Sequence, residues 1–288
     1  MTLSTALPHD LPWADLQPFL LLDGVTLPNL PAVLAKQDPC ARAIALYDFA
    51  PFNGLSDISP LLVQLKNPDD PVFRFYLERA HEEWGLLLFS QAATHCVVQH
   101  LRKLVTVQMP GGFPVFLRLA DAAVAQALFS SGDQRLFGPL SHVVTPDYAA
   151  TTWHRHQPRH PECPELPIPY RLSDEQCLAL DQVDRRRALL DLDAHLLNHF
   201  PEHPRGASVA ERLPALQKLE SAASDLGLDS RFGLFHYANI MARLDGSPLS
   251  RHPEINRLLH GPSLQPVDER VVLAADLARD WVNGGRRP

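Results

Sequence analysis

Residues 84 to 121 read WGLLLFSQAATHCVVQHLRKLVTVQMPGGFPVFLRLAD. Leu86 to Phe89 has the length and unbroken apolar character of a buried strand. Ala92 to Lys103 follows as a helix ending in Leu101-Arg102-Lys103. Leu104 to Met109 and Pro114 to Leu119 then flank Pro110-Gly111-Gly112, and the two runs read as a β-hairpin. Val105, Val107 and Met109 alternate with Thr106 and Gln108, the period of a strand with one buried face. Strand, helix and hairpin in succession put this half of the chain in the α/β class.

Upstream, Phe19 to Asp23 reads as a short buried strand stopped by Gly24. Pro31 opens a short helix at a position where its missing N–H costs little. Ala43 to Tyr47 and Leu61 to Leu65 are further strands, expected in the sheet interior, with the turn-rich Pro51-Phe52-Asn53-Gly54 between them. Asp70-Pro71 is an N-cap and first-turn pair, after which Val72, Phe75, Tyr76 and Arg79 recur at helical spacing. Trp84 is expected to plug the sheet and Gly85 to end that helix. The expectation is an α/β N-terminal lobe, a mixed sheet with flanking helices, over residues 1–145.

Between Pro146 and Pro169 six prolines favour extended chain, so residues 146–172 are expected to be a proline-rich linker. Ser173 to Gln176 carries a capping-box signature. Leu189, Leu192, Leu196 and Phe200 follow as one apolar stripe. Ser208 to Glu211 repeats the signature ahead of Leu216, Leu219, Ala223 and Leu226, with Pro214 able to kink the helix and Gly227 to cap it. Phe232 to Leu244 and Pro266 to Val282 complete an all-α C-terminal lobe over residues 173–288.

The 288 residues suffice for two domains, each with its own core. With 45% hydrophobic and 20% charged residues the chain is expected to fold. A net charge of -7 argues against a phosphate-backbone grip and so against nucleic acid as a partner. The basic runs Arg185-Arg186-Arg187 and Arg286-Arg287 read as solvated surface. No run approaches the roughly 18 apolar residues of a membrane span, and residues 1 to 25 lack a signal-peptide pattern. Cys40, Cys96, Cys163 and Cys177 form no CxxC, so reduced thiols in the cytoplasm are expected, with no membrane association.

Two constellations bear on chemistry. His154, His156, His160 and Cys163 are residue types that hold zinc, but their spacing matches no ligand signature and the neighbouring prolines extend the chain. Cys96 lies beside His95 and one helical turn from His100, a nucleophile and base in principle. Neighbours on a helix point about 100 degrees apart, so His95 and Cys96 are not expected to meet. Arg118 and Asp121 are read as an ion pair orienting the next helix. GxSxG, HExxH, GxxxxGK[ST] and GxGxxG are all missing from the sequence. No catalytic, cofactor-binding or metal residues are assigned, and no cofactor is expected.

Leu21-Leu22-Asp23-Gly24, the Tyr47 strand, Ser59-Pro60-Leu61-Leu62-Val63, Trp84-Gly85, the LRK helix, the VTVQMPGG and VFLRLAD arms of the hairpin, and Phe137-Gly138-Pro139 occur in that order over about residues 17 to 140. In this the chain resembles the effector adaptor/chaperones of bacterial type VI secretion, departing from their pattern at Gly111-Gly112 and Leu119-Ala120. The resemblance implies a non-catalytic cytoplasmic adaptor that binds an effector toxin and promotes its loading onto the spike or its small tip protein. Contact would run through exposed apolar and aromatic surface. The alternatives from other classes are an enzyme of unrecognised type, metal-dependent through the His-rich linker, and a structural subunit of a larger assembly.

Overall fold

A computed structural model describes residues 7–160 and 164–283. By internal contacts the chain divides into one unit ending at Val183 and a second beginning at Asp184.

The first unit holds β1 (Gln17–Leu22), α1 (Leu30–Gln37), β2 (Arg42–Ala45), β3 (Leu61–Gln64), α2 (Pro71–Glu78), β4 (Gly85–Ser90), α3 (Thr94–Lys103), β5 (Thr106–Gln108), β6 (Pro114–Phe116), α4 (Ala122–Ser130), β7 (Leu140–Asp147) and β8 (Thr152–His156). Six strands form one sheet in the order β2-β3-β1-β4-β7-β8, and β5 and β6 form a separate two-stranded hairpin. Along β1, Phe19 and Leu21 enter one core with α3, α4 and the hairpin, while Leu20 and Leu22 enter the other with α1, α2 and Trp84. Covering both faces is why FLLL, LLV and LLLF are continuously apolar instead of alternating.

The α/β class and its flanking helices are as the sequence indicates, but the sheet is antiparallel in every pairing where a mixed one was expected. The crossovers supply the reason. Helix α1 joins β1 to β2, and α2 joins β3 to β4, but each crossover skips a strand. β3 is inserted between β1 and β2, and β1 between β3 and β4, so strands running the same way are never neighbours. In the same arrangement β2 lies at the sheet edge, not in its interior.

The expected linker begins as sheet. β7 and β8 pair from Val143–His156 to Asp147–Thr152. Pro146 is tolerated because β4 pairs with β7 only as far as Val144, so its missing N–H leaves no ladder bond unmade on that side. Farther on, Leu166, Tyr170 and Leu172 are buried in the core. Gln108 donates its N–H to the Tyr170 carbonyl, and Leu172 donates its own to the Gln108 carbonyl. The segment is therefore part of the first unit.

The capping box forms as read. Gln176 N–H donates to Ser173 Oγ at 3.1 Å and Ser173 N–H to Gln176 Oε1 at 3.0 Å. It starts α5 (Asp174–His199), which α6 (Val209–Asp225), α7 (Arg231–Leu244), α8 (Pro253–His260) and α9 (Val267–Asn283) follow. Helix α8 was not anticipated. Pro214 sits inside α6 without ending it. Gly227, at φ +76°, closes that helix, the Leu228 and Gly227 N–H groups donating to the Ala223 and Ser224 carbonyls. Leu192, Leu216, Ala238, Ile240, Val271 and Ala278 form the core of the second unit.

Within that core Arg212 donates to both carboxylate oxygens of Asp193, at 2.7 and 2.6 Å, and to the Gly206 carbonyl at 2.9 Å. Both side chains are almost wholly buried. Removing one partner strands the other's charge, so Arg212→Ala is expected to cost about 3–5 kcal/mol. Urea unfolding measures it, and a loss below about 1 kcal/mol would mean the pair behaves as a surface one.

In the first unit His156 donates Nε2–H to Gln126 Oε1 at 2.7 Å, and Thr145 Oγ donates to the same oxygen at 2.9 Å. Burial, then the neighbouring His154, pull the His156 pKa down to about 4. The fold thus favours the neutral ring. Its contribution is complete above the unfolded value of 6.5 and is lost as the pH falls from there towards about 4. Urea midpoints at pH 7 and pH 4.5 are expected to differ less in His156→Gln than in the parent; equal differences would remove His156 from the account.

Candidate docking surfaces

Most of the residues that give the first unit its sequence signature are occupied in holding it together. Asp23, buried at the end of β1, accepts from Thr26 Oγ at 2.6 Å and from Arg118 Nη2 at 2.5 Å. An ion pair therefore ties the LLDG turn to the hairpin arm across 95 positions. Arg118 had been read as the partner of Asp121, which caps α4 by accepting from Ala123 and Val124 N–H. A Cβ on Gly24 would collide with the Ser59 carbonyl, and Ser59 Oγ accepts from Tyr47 N–H at 3.0 Å. Burial, then the Asp23 charge, push the Tyr47 hydroxyl pKa up. LLDG, SPLLV, Tyr47 and the hairpin thus meet at one end of the sheet.

A second knot joins α3 to Phe137-Gly138-Pro139. His100 Nε2–H donates to the Leu136 carbonyl at 2.8 Å, and burial lowers the ring's pKa. Gly138 has φ +49° with its α-carbon against that ring, so a side chain there is barred twice. Ser90 Oγ donates to the Pro139 carbonyl. Arg102 of the LRK helix end donates to the carbonyls of Ala45, Leu46 and Asp48 and lies 5.1 Å over the Phe49 ring. Trp84 is the buried plug expected of it, against Phe75 and Tyr76. Gly85 opens β4 opposite Leu22 instead of ending a helix.

The polar constellations do not assemble into a reactive centre. His154 and Asp147 meet at 3.0 Å, His156 turns to Gln126, and His160 is exposed. Cys163, Pro161 and Arg286-Arg287 lie outside the described residues. Among the described residues no three His, Cys, Asp or Glu side chains converge as metal ligands. Cys96 Sγ does approach His95 Nε2, at 3.3 Å, contrary to the helical-angle argument. In the first turn of α3 the two flexible side chains close the gap that their Cα–Cβ directions open. His95 is exposed, and no carboxylate orients it among the described residues. Arg185 pairs with Glu220 and Arg187 with Asp184, as expected of a solvated face.

What the architecture leaves unused is apolar. In the first unit Phe113 at the hairpin turn is 73% exposed and Phe116 on β6 is 58% exposed. Phe116 meets Phe52 edge to face at 5.5 Å, and Phe52 meets Phe49 at 4.9 Å. Pro114, Phe116 and Arg118 share one hairpin face, while Val115 and Leu117 turn to the core. Singly exposed apolar residues need no explanation, but two exposed rings on one hairpin, with Phe116 backed by the core-packed Phe52, are a candidate contact surface. In the second unit an apolar trough of about 530 Å³ is lined by Leu219 and Ala222 of α6, Ala238 and Met241 of α7, Leu196 of α5 and the segment His203 to Arg205. No helix among the described residues is long and apolar enough to cross a membrane.

Comparison with known proteins fits this reading of the motifs. Residues 18–136 match the family described as "Domain of unknown function (DUF4123)". The match takes in every piece on which the resemblance rested except Phe137-Gly138-Pro139, just past its end. The chain is also 27% identical over 262 residues to the accessory protein VasW of Vibrio cholerae serotype O1, covering 90% of this chain and 87% of that protein. No solved structure matches it. The similarity to the DUF4123 family therefore falls on the α/β unit of this chain, from β1 through α4.

Proposed function

We propose that this protein is a cytoplasmic, non-catalytic adaptor of a bacterial type VI secretion system, which binds an effector toxin and promotes its loading onto the spike or its tip protein. The observation that carries the reading is the DUF4123 match over residues 18–136, on the segment whose signature resembles the adaptor family. Similarity to an accessory protein over most of both chains supports it. The distribution of side chains supports it as well. The signature's polar groups are engaged in holding the sheet, while the exposed phenylalanines have no such task.

In this reading the hairpin presents Phe113 and Phe116 as anchors for a partner polypeptide, with Phe52 and Phe49 holding Phe116 in place. Aromatic side chains of this kind supply much of the binding energy of a protein interface, because they bury a large area and lose few rotamers.

The test is co-purification of the tagged chain with the effector and the spike encoded beside it. The parent is expected to retain the effector. Phe113→Ser with Phe116→Ser is expected to weaken retention by roughly tenfold or more, the equivalent of one hot-spot contact, with an unchanged melting temperature. If the parent retains neither partner and effector delivery survives deletion of the chain, the adaptor reading fails.

A further inference from the structure

We infer that the trough in the helical unit is the seat of an amphipathic helix of the effector, one that carries carboxylates along the flank facing Arg205 and Lys218. This rests on the adaptor reading and adds to it the place and chemistry of one contact.

Two features select a helix. Two of the walls are themselves helices, presenting Ala215, Lys218, Leu219 and Ala222 from α6, and Ala238, Met241 and Ala242 from α7 with Asp245 at its C-cap, while Leu196 and the segment His203-Pro204-Arg205 line the rest. Each set follows i, i+3, i+4, i+7 spacing, the row that a third helix meets when it packs ridge into groove. Small side chains along both rows let its backbone approach closely. An extended segment in the same place would bring N–H and C=O groups against an apolar floor with nothing to pair them. A helix satisfies its own. The volume of about 530 Å³ is within the range of sites that hold several apolar side chains, and the flexible Met241 suits a floor that adapts to its occupant.

Charge selects the occupant's flank. Arg205 and Lys218 are both exposed at the rim, and neither reaches a carboxylate among the described residues. The rim's own carboxylate, Asp245, meets His203 at 2.9 Å. Elsewhere in the unit Arg185, Arg187, Arg212, Arg231 and Arg279 pair with Asp or Glu, Arg270 donates to the Leu258 and Gly261 carbonyls and Arg243 lies over Phe200, whereas the exposed Arg251 and Arg257 lie away from the trough lining. Two unpaired cations on the mouth of an apolar trough, in a chain of net charge -7, complement an acidic helix and repel a basic one.

The experiment uses the full chain with the effector encoded beside it. Carbodiimide joins an amine to a carboxylate only when the two touch, so it is expected to link Lys218 to an Asp or Glu in a helical segment of the effector. Arg205→Glu with Lys218→Glu is expected to lower retention by about tenfold in low salt, and less in high salt. Ala242→Trp fills the trough and is expected to lower it further, by about a hundredfold, equivalent to losing a central anchor. If Ala242→Trp does not fold, the exposed double substitution decides. A parent that binds no effector defeats the adaptor reading and this inference with it. A parent that binds, with folded variants that bind equally well, defeats only the inference. The inference is also defeated if the variants lose the spike but keep the effector, if they lose only self-association, or if the carboxylate linked to Lys218 lies in an extended segment.

Discussion

The sheet is covered on both faces, and this constraint governs the first unit. β1, β3 and β4 have neighbours on both sides and helices above and below, so nearly every side chain on them must be apolar. Each fully buried Leu or Phe contributes about 1.5–3 kcal/mol, and a polar group in its place costs free energy unless paired. Chemistry is thereby pushed off the strands. It collects at strand ends and on α3, where Asp23, Ser59, Ser90 and the helical His100 each find a partner and fix how a turn or a helix meets the sheet. A sequence signature made of such residues describes a scaffold, and a partner reads what the scaffold exposes.

The same constraint decided what was legible. FLLL, LLV and LLLF could be assigned to strands because no amphipathic helix is so short and so uniformly apolar; the Ser173–Gln176 capping box formed on the residues named for it, and Ser208 caps Glu211 N–H while the Glu211 carboxylate reaches back to Ala207 N–H instead of Ser208. Strand order was hidden. Hydrophobic periodicity reports whether a segment is buried, but not which strand slips between two others, and interleaving by β3 and β1 turned the expected mixed sheet into an antiparallel one. β7 and β8 were hidden for a different reason. Their sequence, LSHVVTPD and TWHRH, carries a proline and three histidines that read as linker. It is the short pairing with β4 that makes Pro146 harmless, and no local pattern records that length.

The exposed phenylalanines were legible as residues but not as surface. From Pro114 to Leu119 every residue but Arg118 is apolar, so alternation could not say which face meets solvent. The structure decides it by placing Val115 and Leu117 against the core, which turns Phe116 outward onto Phe52. The interaction of Arg118 with Asp23 fixes the same choice. A one-residue slip of that arm would bury the guanidinium and expose Leu117. The ion pair between half-exposed Arg118 and buried Asp23 thus acts as a register pin, and through that register it sets which aromatic rings the hairpin exposes.

In the helical unit the trough could not be read from helix patterns, since an apolar stripe looks the same whether a neighbouring helix covers it or not. Leu216 and Leu219 lie three residues apart on α6, yet Leu216 is in the core and Leu219 on the trough floor. The difference is one of depth: Leu216 is fully buried, while Leu219 is half-buried and lines the trough. Ala215, Ala222, Ala238 and Ala242 keep the lining small while Lys218 is exposed, so its charge remains in water in the free protein. A cation held at the edge of an apolar surface costs little in the free protein and adds selectivity when a carboxylate docks beside it. On the proposed docking, the energetic reason for keeping Lys218 and Arg205 unpaired lies in the complex and not in the fold.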